Sequence, residues 1–232
     1  MTQVTGSSRC PDMDCWEIAG IVTDADQRQV SNIADRVAGS RRTALFYLNS
    51  EGGDVEASIA IGQQLRRIRA TAVMWDEARC LSSCVFILVG ATQRVLAGQI
   101  GIHRPYSLRT DVRSYETVQQ DQRRLKKIAK QYLEEMNVSP SLYDAMVRIP
   151  PEKVKFLSPS ELHQFGISEV DPVQQEVEDT GEARSYGLSK TEYLRRKAEV
   201  EVVCAREWRR GTTFGDFDGY FSCRDKVFRT AR

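Results

Sequence analysis

The apolar positions of the chain repeat with two periods, and these alternate along its first hundred residues. Trp16 to Val22 is a short, largely apolar run of strand length, and Thr23-Asp24 then offers a helix N-cap. Val30, Ile33, Ala34 and Val37 follow at 0, +3, +4 and +7, the stripe of an amphipathic helix, with Gly39 placed to close it. Ala44 to Leu48 reads as a second strand, and Asn49-Ser50-Glu51-Gly52-Gly53 as a turn. Asp54 then caps a helix whose Ala57, Ile61, Leu65 and Ile68 share one face. Thr71 to Trp75 is a further strand, Leu81 to Gly90 a small-residue start followed by an apolar run, and Arg94 to Ile102 one or two strands. Strand and helix in alternation predict an α/β fold with a largely parallel sheet.

Beyond residue 102 the pattern becomes helical. Residues 114–136 are charged, with Val118, Leu125, Ile128, Ala129 and Leu133 on the apolar side. Pro140 opens a shorter helix that stops before Pro150-Pro151. Residues 1–15 are polar and read as a flexible N-terminal segment, and residues 172–187, polar and acidic, as a linker. Ser189-Lys190-Thr191-Glu192 has capping-box spacing and predicts a helix to about Arg210 within a C-terminal helical extension, 188–232. The Gly/Phe/Asp-rich end carries no readable period.

Composition changes this picture mainly by exclusion. At 232 residues and 41% hydrophobic the chain can bury one sizeable core. With 33 basic and 32 acidic residues, no global field steers it to nucleic acid, and Arg123 to Lys127 reads as a solvated helix face. No apolar run reaches the ~18–20 residues that span a bilayer, so no membrane association is expected. The first ten residues lack the apolar centre of a secretory signal. A cytoplasmic location is expected if Met1 is the start, a periplasmic one if a signal has been removed. Six cysteines form three sequence-close pairs, Cys10/Cys15, Cys80/Cys84 and Cys204/Cys223. Disulfides are open to them, and buried reduced thiols are the plainer reading. The two histidines, His103 and His163, share no ligand-like spacing with them, so neither a metal nor another cofactor is expected. His163, among charged and polar neighbours, reads as a surface residue.

Two segments carry candidate chemistry. Paired glycines at 52 and 53, directly after a strand, allow close approach of a substrate to backbone N–H groups. In Cys80-Leu81-Ser82-Ser83-Cys84-Val85-Phe86, small polar residues lead into an apolar helix. A serine placed there is an ordinary buried cap, or a nucleophile where developing negative charge is favoured. His103 follows at the end of an apolar strand. Because a free hydroxyl is a poor nucleophile near neutral pH, a serine needs such a base. Glycine turn, helix-start serine and strand-end histidine supply oxyanion donors, nucleophile and base in one stretch.

These residues carry a family resemblance. Phe46 to Gly53 (Phe-Tyr-Leu-Asn-Ser-Glu-Gly-Gly) resembles the Tyr-Ile-Asn-Ser-Pro-Gly-Gly of the Clp protease proteolytic subunit. Ser82 to Leu88 resembles its Ser-Met-Gly-Ala-Phe-Leu-Leu, and Ile102-His103-Arg104-Pro105 its Ile-His-Gln-Pro. Phe156 to Leu162 and Phe165-Gly166-Ile167 are similar to later family segments in the same order. The Cys-x-Ser-x-Cys form looks more like a divergent bacterial branch than the Clp subunit itself.

The resemblance spans residues 16–171. It implies a ClpP/crotonase-like core of repeated β-β-α units and a serine peptidase without cofactor, acting on polypeptides as a ring-shaped homo-oligomer. It implies Ser82 as nucleophile, with Ser83 the in-register rival, His103 as base, and the N–H groups of Gly53 and Ser83 as the oxyanion hole. The family's third triad member, an aspartate, is replaced by Val154. Glu152 is then the candidate acid, the alternatives being a dyad without one or a backbone carbonyl orienting the imidazole. No counterpart of the family's ATPase-engaging N-terminal segment is recognisable, which leaves an ATPase partner open. An inactive scaffold or binding protein of the same fold and a crotonase-like acyl-CoA enzyme are the competing functions.

Overall fold

A computed structural model describes residues 3–6, 14–38, 44–106, 114–168, 171–204 and 217–229. The chain divides into two compact units, Met1–Asp171 and Pro172–Arg232.

The first unit is built on an eight-stranded, mostly parallel sheet. Strand β1 (Gln3–Gly6) pairs antiparallel with β2 (Asp14–Val22), so part of the segment expected to be flexible is an edge strand. Four residues, Gln-Val-Thr-Gly, are too short a run to show a strand's alternation. Helix α1 (Asp24–Val37) starts at Thr23, whose side chain forms a reciprocal capping box with Asp26, and buries Val30, Ile33 and Ala34. Its expected closing residue, Gly39, lies outside the described residues.

Strand β3 (Ala44–Gly53) is parallel to β2 and runs through the segment expected to be a turn. The two strands change register between Gly20 and Ile21: Gly20 faces Ser50 and Ile21 faces Gly52, leaving Glu51 as the extra residue of a β-bulge. The glycines therefore end a strand rather than make a turn.

Helix α2 (Val55–Arg67) is capped by Asp54, whose Oδ1 accepts from the Ala57 N–H at 2.8 Å. Strand β3 then forks. Its start pairs with β4 (Thr71–Met74) and its end, at Ser50, with Cys80 of β5 (Arg79–Leu81). Helix α3 (Cys84–Gly90) follows, then β6 (Gln93–Leu96) beside β4 and β7 (Gln99–Ile102) beside β5. This two-strands-then-helix succession is the expected repeated β-β-α pattern. The long helix α4 (Tyr115–Glu135), the short α5 (Ser141–Arg148), the two-residue β8 (Lys155–Phe156) and α6 (Pro159–Phe165) complete the unit.

Helix α3 is the centre of the core, with Cys84 to Gly90 buried on every side. Each large apolar side chain there contributes ~1.5–3 kcal/mol by leaving water. Its C-terminal carbonyls meet buried Arg94, which donates to Val89 O at 2.7 Å and Ala91 O at 3.2 Å. A cation at this end complements the helix dipole. Burial, the larger influence, together with the nearby Arg66, lowers the guanidinium to about 10. Tyr132 of α4 donates from its hydroxyl to Phe86 O at 2.7 Å, and burial pushes that phenol far above its usual range. Helix α3 is thus held at its middle and its far end.

The second unit contains α7 (Pro172–Ser185), α8 (Lys190–Val203) and α9 (Phe217–Arg229). The expected linker is therefore mostly helix. Val173 and Val177 are exposed and only Asp179 and Ala183 are buried, so α7 has no apolar stripe to betray it. Polar pairs hold it instead: Gln175 and Lys197 each donate to Asp179 Oδ1 at 2.7 Å. Helix α8 is capped by Ser189 as predicted and ends at Val203; residues 205–210 lie outside the described ones. Tyr186 and Tyr193 stack on Phe228, and a disulfide joins Cys204 to Cys223.

Candidate active site

The site forms where three neighbouring parallel strands end. In the β5–β7 ladder Leu81 faces Gly101, so Ser82 leaves β5 level with Ile102, one residue short of His103. The Ser82 N–H donates to Gly101 O at 2.9 Å and fastens the turn to the neighbouring strand. Strand β3 ends on the other side of β5 with Gly52 and Gly53. Carboxyl ends of parallel strands are where open α/β sheets present their binding crevices.

Ser82 and Ser83 are adjacent and differ in every respect that matters to chemistry. Ser82 has φ +54, a left-handed backbone that costs a non-glycine residue about 1–2 kcal/mol. Ser82 thus stands at a strand–turn–helix junction, buried but for 7% of its surface. Its hydroxyl makes no hydrogen bond among the described residues. Ser83 is wholly buried, and its Oγ accepts a 3.0 Å hydrogen bond from Ser58 of α2. The rival nucleophile is thereby occupied as a tie between helices. The Ser83 N–H, by contrast, donates to no backbone carbonyl among the described residues and directly follows Ser82.

Gly52 is pressed against this turn. A side chain on it would meet Leu81 O at 2.6 Å and both Ser82 Cβ and Ser83 N at 2.9 Å, and its own φ is +89. Its N–H donates to Ser50 Oγ at 3.1 Å, and Ser50 in turn donates to Gly20 O at 2.6 Å. The Gly52 amide is therefore committed within the bulge. Gly53, with φ +148, pairs with Val22 at the end of β3. The Ser50 hydroxyl is taken up by this structural tie, a role its residue type alone does not reveal. The pair of glycines is the only trace of the close approach in the sequence.

A disulfide joins Cys80, in β5, to Cys84, the first residue of α3, so that it brackets Ser82. Cys15 is also disulfide-bonded, and no described cysteine is free. The reading of these cysteines as reduced thiols is thereby overturned. Sequence spacing carries no record of oxidation state, and Cys80 and Cys84 straddle a strand–helix junction that brings their Cα atoms to 5.2 Å.

His103 is buried, 8% exposed, at the end of β7. Its Nδ1 lies 3.0 Å from Arg104 O. A carbonyl only accepts, so a hydrogen bond there puts the proton on Nδ1 and leaves Nε2 as the basic nitrogen. Arg104 is itself held, its N–H on Ile149 O at 2.9 Å and its Nε on Val147 O at 2.8 Å. The Tyr106 ring lies tilted beside the imidazole, with centroids 5.8 Å apart.

No carboxylate among the described residues joins the imidazole. Strand β8 runs antiparallel to β7, Gly101 facing Phe156 and Ile102 facing Lys155; continued by one residue, this register puts Val154 opposite His103. The Val154 side chain leans over β7, with Cγ1 2.6 Å from where a Cβ on Gly101 would stand. Glu152 is an exposed residue of the preceding turn and has no hydrogen bond or ion pair among the described residues. His163 is exposed on α6, away from these strand ends.

Comparisons with known proteins agree with this architecture. The Clp protease family model matches residues 33–176, more than half of the chain, including both strand-end glycines, Ser82 and His103. No curated protein sequence matches. Among solved structures the chain is similar to a point mutant of ClpP1 from Listeria monocytogenes. That match has 19% identity and a TM-score of 0.52, and covers 67% of this chain and 89% of that one. At such identity the likeness is one of fold, and it ends short of the full length of this chain. With the family match over β3 to α6 and the parallel, forked sheet, the chain belongs to the Clp protease family.

Proposed function

We propose that the protein is a serine peptidase that hydrolyses polypeptides through an acyl-enzyme. The observation that carries this reading is Ser82: a non-glycine residue at φ +54, at a strand–helix junction, beside a strand that ends in His103. Ser82 Oγ attacks the scissile carbonyl while His103 Nε2 takes its proton. The tetrahedral oxyanion is met by the N–H groups of Ser83, at the start of α3, and Gly53, at the end of β3. His103 returns the proton to the departing amine, and water repeats the sequence to release the acid. Arg104 O orients the imidazole through Nδ1, so the pair works as a dyad with Glu152 as a spectator. No step calls for a cofactor. A homo-oligomer is proposed from family membership, and an ATPase partner is left aside. The disulfides favour an oxidising compartment, the periplasmic of the two locations weighed from sequence.

Val154 at the acid's position favours a second reading, a Clp-type fold retained as a binding or scaffold protein. Labelling by a fluorophosphonate, read by intact mass, separates the two. A single adduct is expected on the wild type and none on Ser82→Ala. His103→Ala is expected to slow labelling by about 100-fold or more, the scale of general-base catalysis. A folded protein that takes no adduct sinks the peptidase reading.

A further inference from the structure

Cys80 and Cys84 form a disulfide whose loop contains little but the proposed nucleophile: Leu81, Ser82 and Ser83. Both sulfur-bearing residues are fully buried. Cys80 is clamped in the sheet, facing Ser50 of β3 on one side and Ile100 of β7 on the other. Cys84 opens α3, whose far end is tied by Arg94 and whose middle is tied by Tyr132. Between two fixed ends the chain must reverse from extended strand to helix, and it does so with Ser82 in the left-handed region.

Loop-closure entropy grows with the number of residues enclosed. A bridge of sequence separation 4 therefore does less for global stability than Cys204–Cys223 with separation 19. Its constraint falls most directly on the three residues it encloses. On this ground, and resting on the reading of Ser82 as nucleophile, we propose that Cys80–Cys84 is a positioning element of the active site: it holds Ser82 at its left-handed backbone and keeps the Ser83 N–H turned toward the reacting carbonyl. The buried sulfurs make it a permanent part of the site.

The test compares wild type, Cys80→Ala/Cys84→Ala and Cys204→Ala/Cys223→Ala by fluorophosphonate labelling and by hydrogen exchange of the Ser82 amide. Thiol alkylation of the denatured wild type without reductant should first find residues 80 and 84 blocked; free thiols there overturn the proposal. The 80/84 variant is expected to label about 10- to 100-fold more slowly, through the maximal rate and not through probe affinity. Its Ser82 amide should exchange at least 10-fold faster. The 204/223 variant is expected to lose more in melting temperature and to label at the wild-type rate. An 80/84 variant that labels like wild type overturns the positioning role while leaving the serine assignment standing. A wild type that takes no label removes the serine assignment instead; amide exchange then decides the hold on the turn, equal rates overturning it. If the double alanine variant does not fold, Cys80→Val/Cys84→Ala, which refills the sulfur volume, carries the same readouts.

Discussion

Around Ser82 several independent constraints meet at one turn: a disulfide across it, its N–H on Gly101 O, Gly52 pressed against it, and Ser83 tied to Ser58. Around His103 the only hydrogen bond of the imidazole among the described residues is the one its Nδ1 makes to the carbonyl of its own neighbour. The rim facing it presents exposed Val154, Lys155 and Phe156. A peptidase needs its nucleophile and oxyanion donors placed to a fraction of an ångström, because misplacement is felt directly in the barrier. Orientation of the base is a smaller contribution, and removing the acid leaves part of the catalysis in place. The difference between the two sides is what that hierarchy predicts for the proposed peptidase, with Ser82 as nucleophile and Val154 at the acid's position.

The comparison breaks most sharply at Gly52. Any side chain there takes a backbone of φ +89 and stands 2.6 Å from Leu81 O and 2.9 Å from Ser83 N, the proposed oxyanion donor. Backbone of that kind costs a non-glycine residue about 1–3 kcal/mol before the clash is counted. Gly52→Ala is therefore expected to lower unfolding free energy by at least about 2 kcal/mol and to abolish fluorophosphonate labelling. Denaturant titration and intact mass read the two effects. Wild-type labelling in a folded Gly52→Ala protein would show that the serine side is less constrained than its contacts imply.

The next effect belongs to the histidine side and runs in the opposite direction. The antiparallel register puts position 154 opposite His103. An aspartate there would replace a neutral orienting carbonyl by a charge that stabilises the imidazolium formed in the transition state. Val154→Asp is expected to raise the maximal labelling rate by about 10-fold, with the sign fixed by the attraction between carboxylate and imidazolium. The surface location of Val154, 41% exposed, makes the change cheap in stability. An unchanged rate would mean that Arg104 O already supplies all the orientation the base uses.

Much of this was legible in the sequence, and the exceptions share a cause. Strands β2, β3, β4, β6 and β7, helices α1 and α2, and the caps at Thr23, Asp54 and Ser189 follow from period and capping chemistry, which are local. Ser82 and His103 could be named because their residue types and order are local too, and family resemblance supplied their roles. Strands β1, β5 and β8 and helix α7 were missed because none presents an apolar period: the strands are only two to four residues long, and α7 is held by pairs such as Lys197–Asp179. Gly52 against Ser83 is a consequence of register between strands, which a single chain read in order does not contain; Val154 against His103 is another, reached from the sequence only through the family resemblance. The bond between Cys80 and Cys84 depends on both geometry and oxidation, and spacing records neither.

The smallest effect expected is at Glu152, and it sharpens the comparison by its size. Glu152 was the one acidic residue near enough in sequence to replace the missing aspartate. It lies instead in an exposed turn, two residues before Val154, and bonds to nothing among the described residues. Alternation along an extended strand would give positions 152 and 154 the same face, yet the stretch before β8 is turn, not strand, so that argument fails for this pair. Reaching His103 would require the turn to refold toward β7 against the β7–β8 ladder. Glu152→Gln, which keeps shape and removes charge, is therefore expected to change the labelling rate less than about 2-fold, within the ±0.5 kcal/mol usual for an exposed substitution. A loss of 10-fold or more, with Val154→Asp then giving no gain, would restore the triad and make the histidine side as constrained as the serine side.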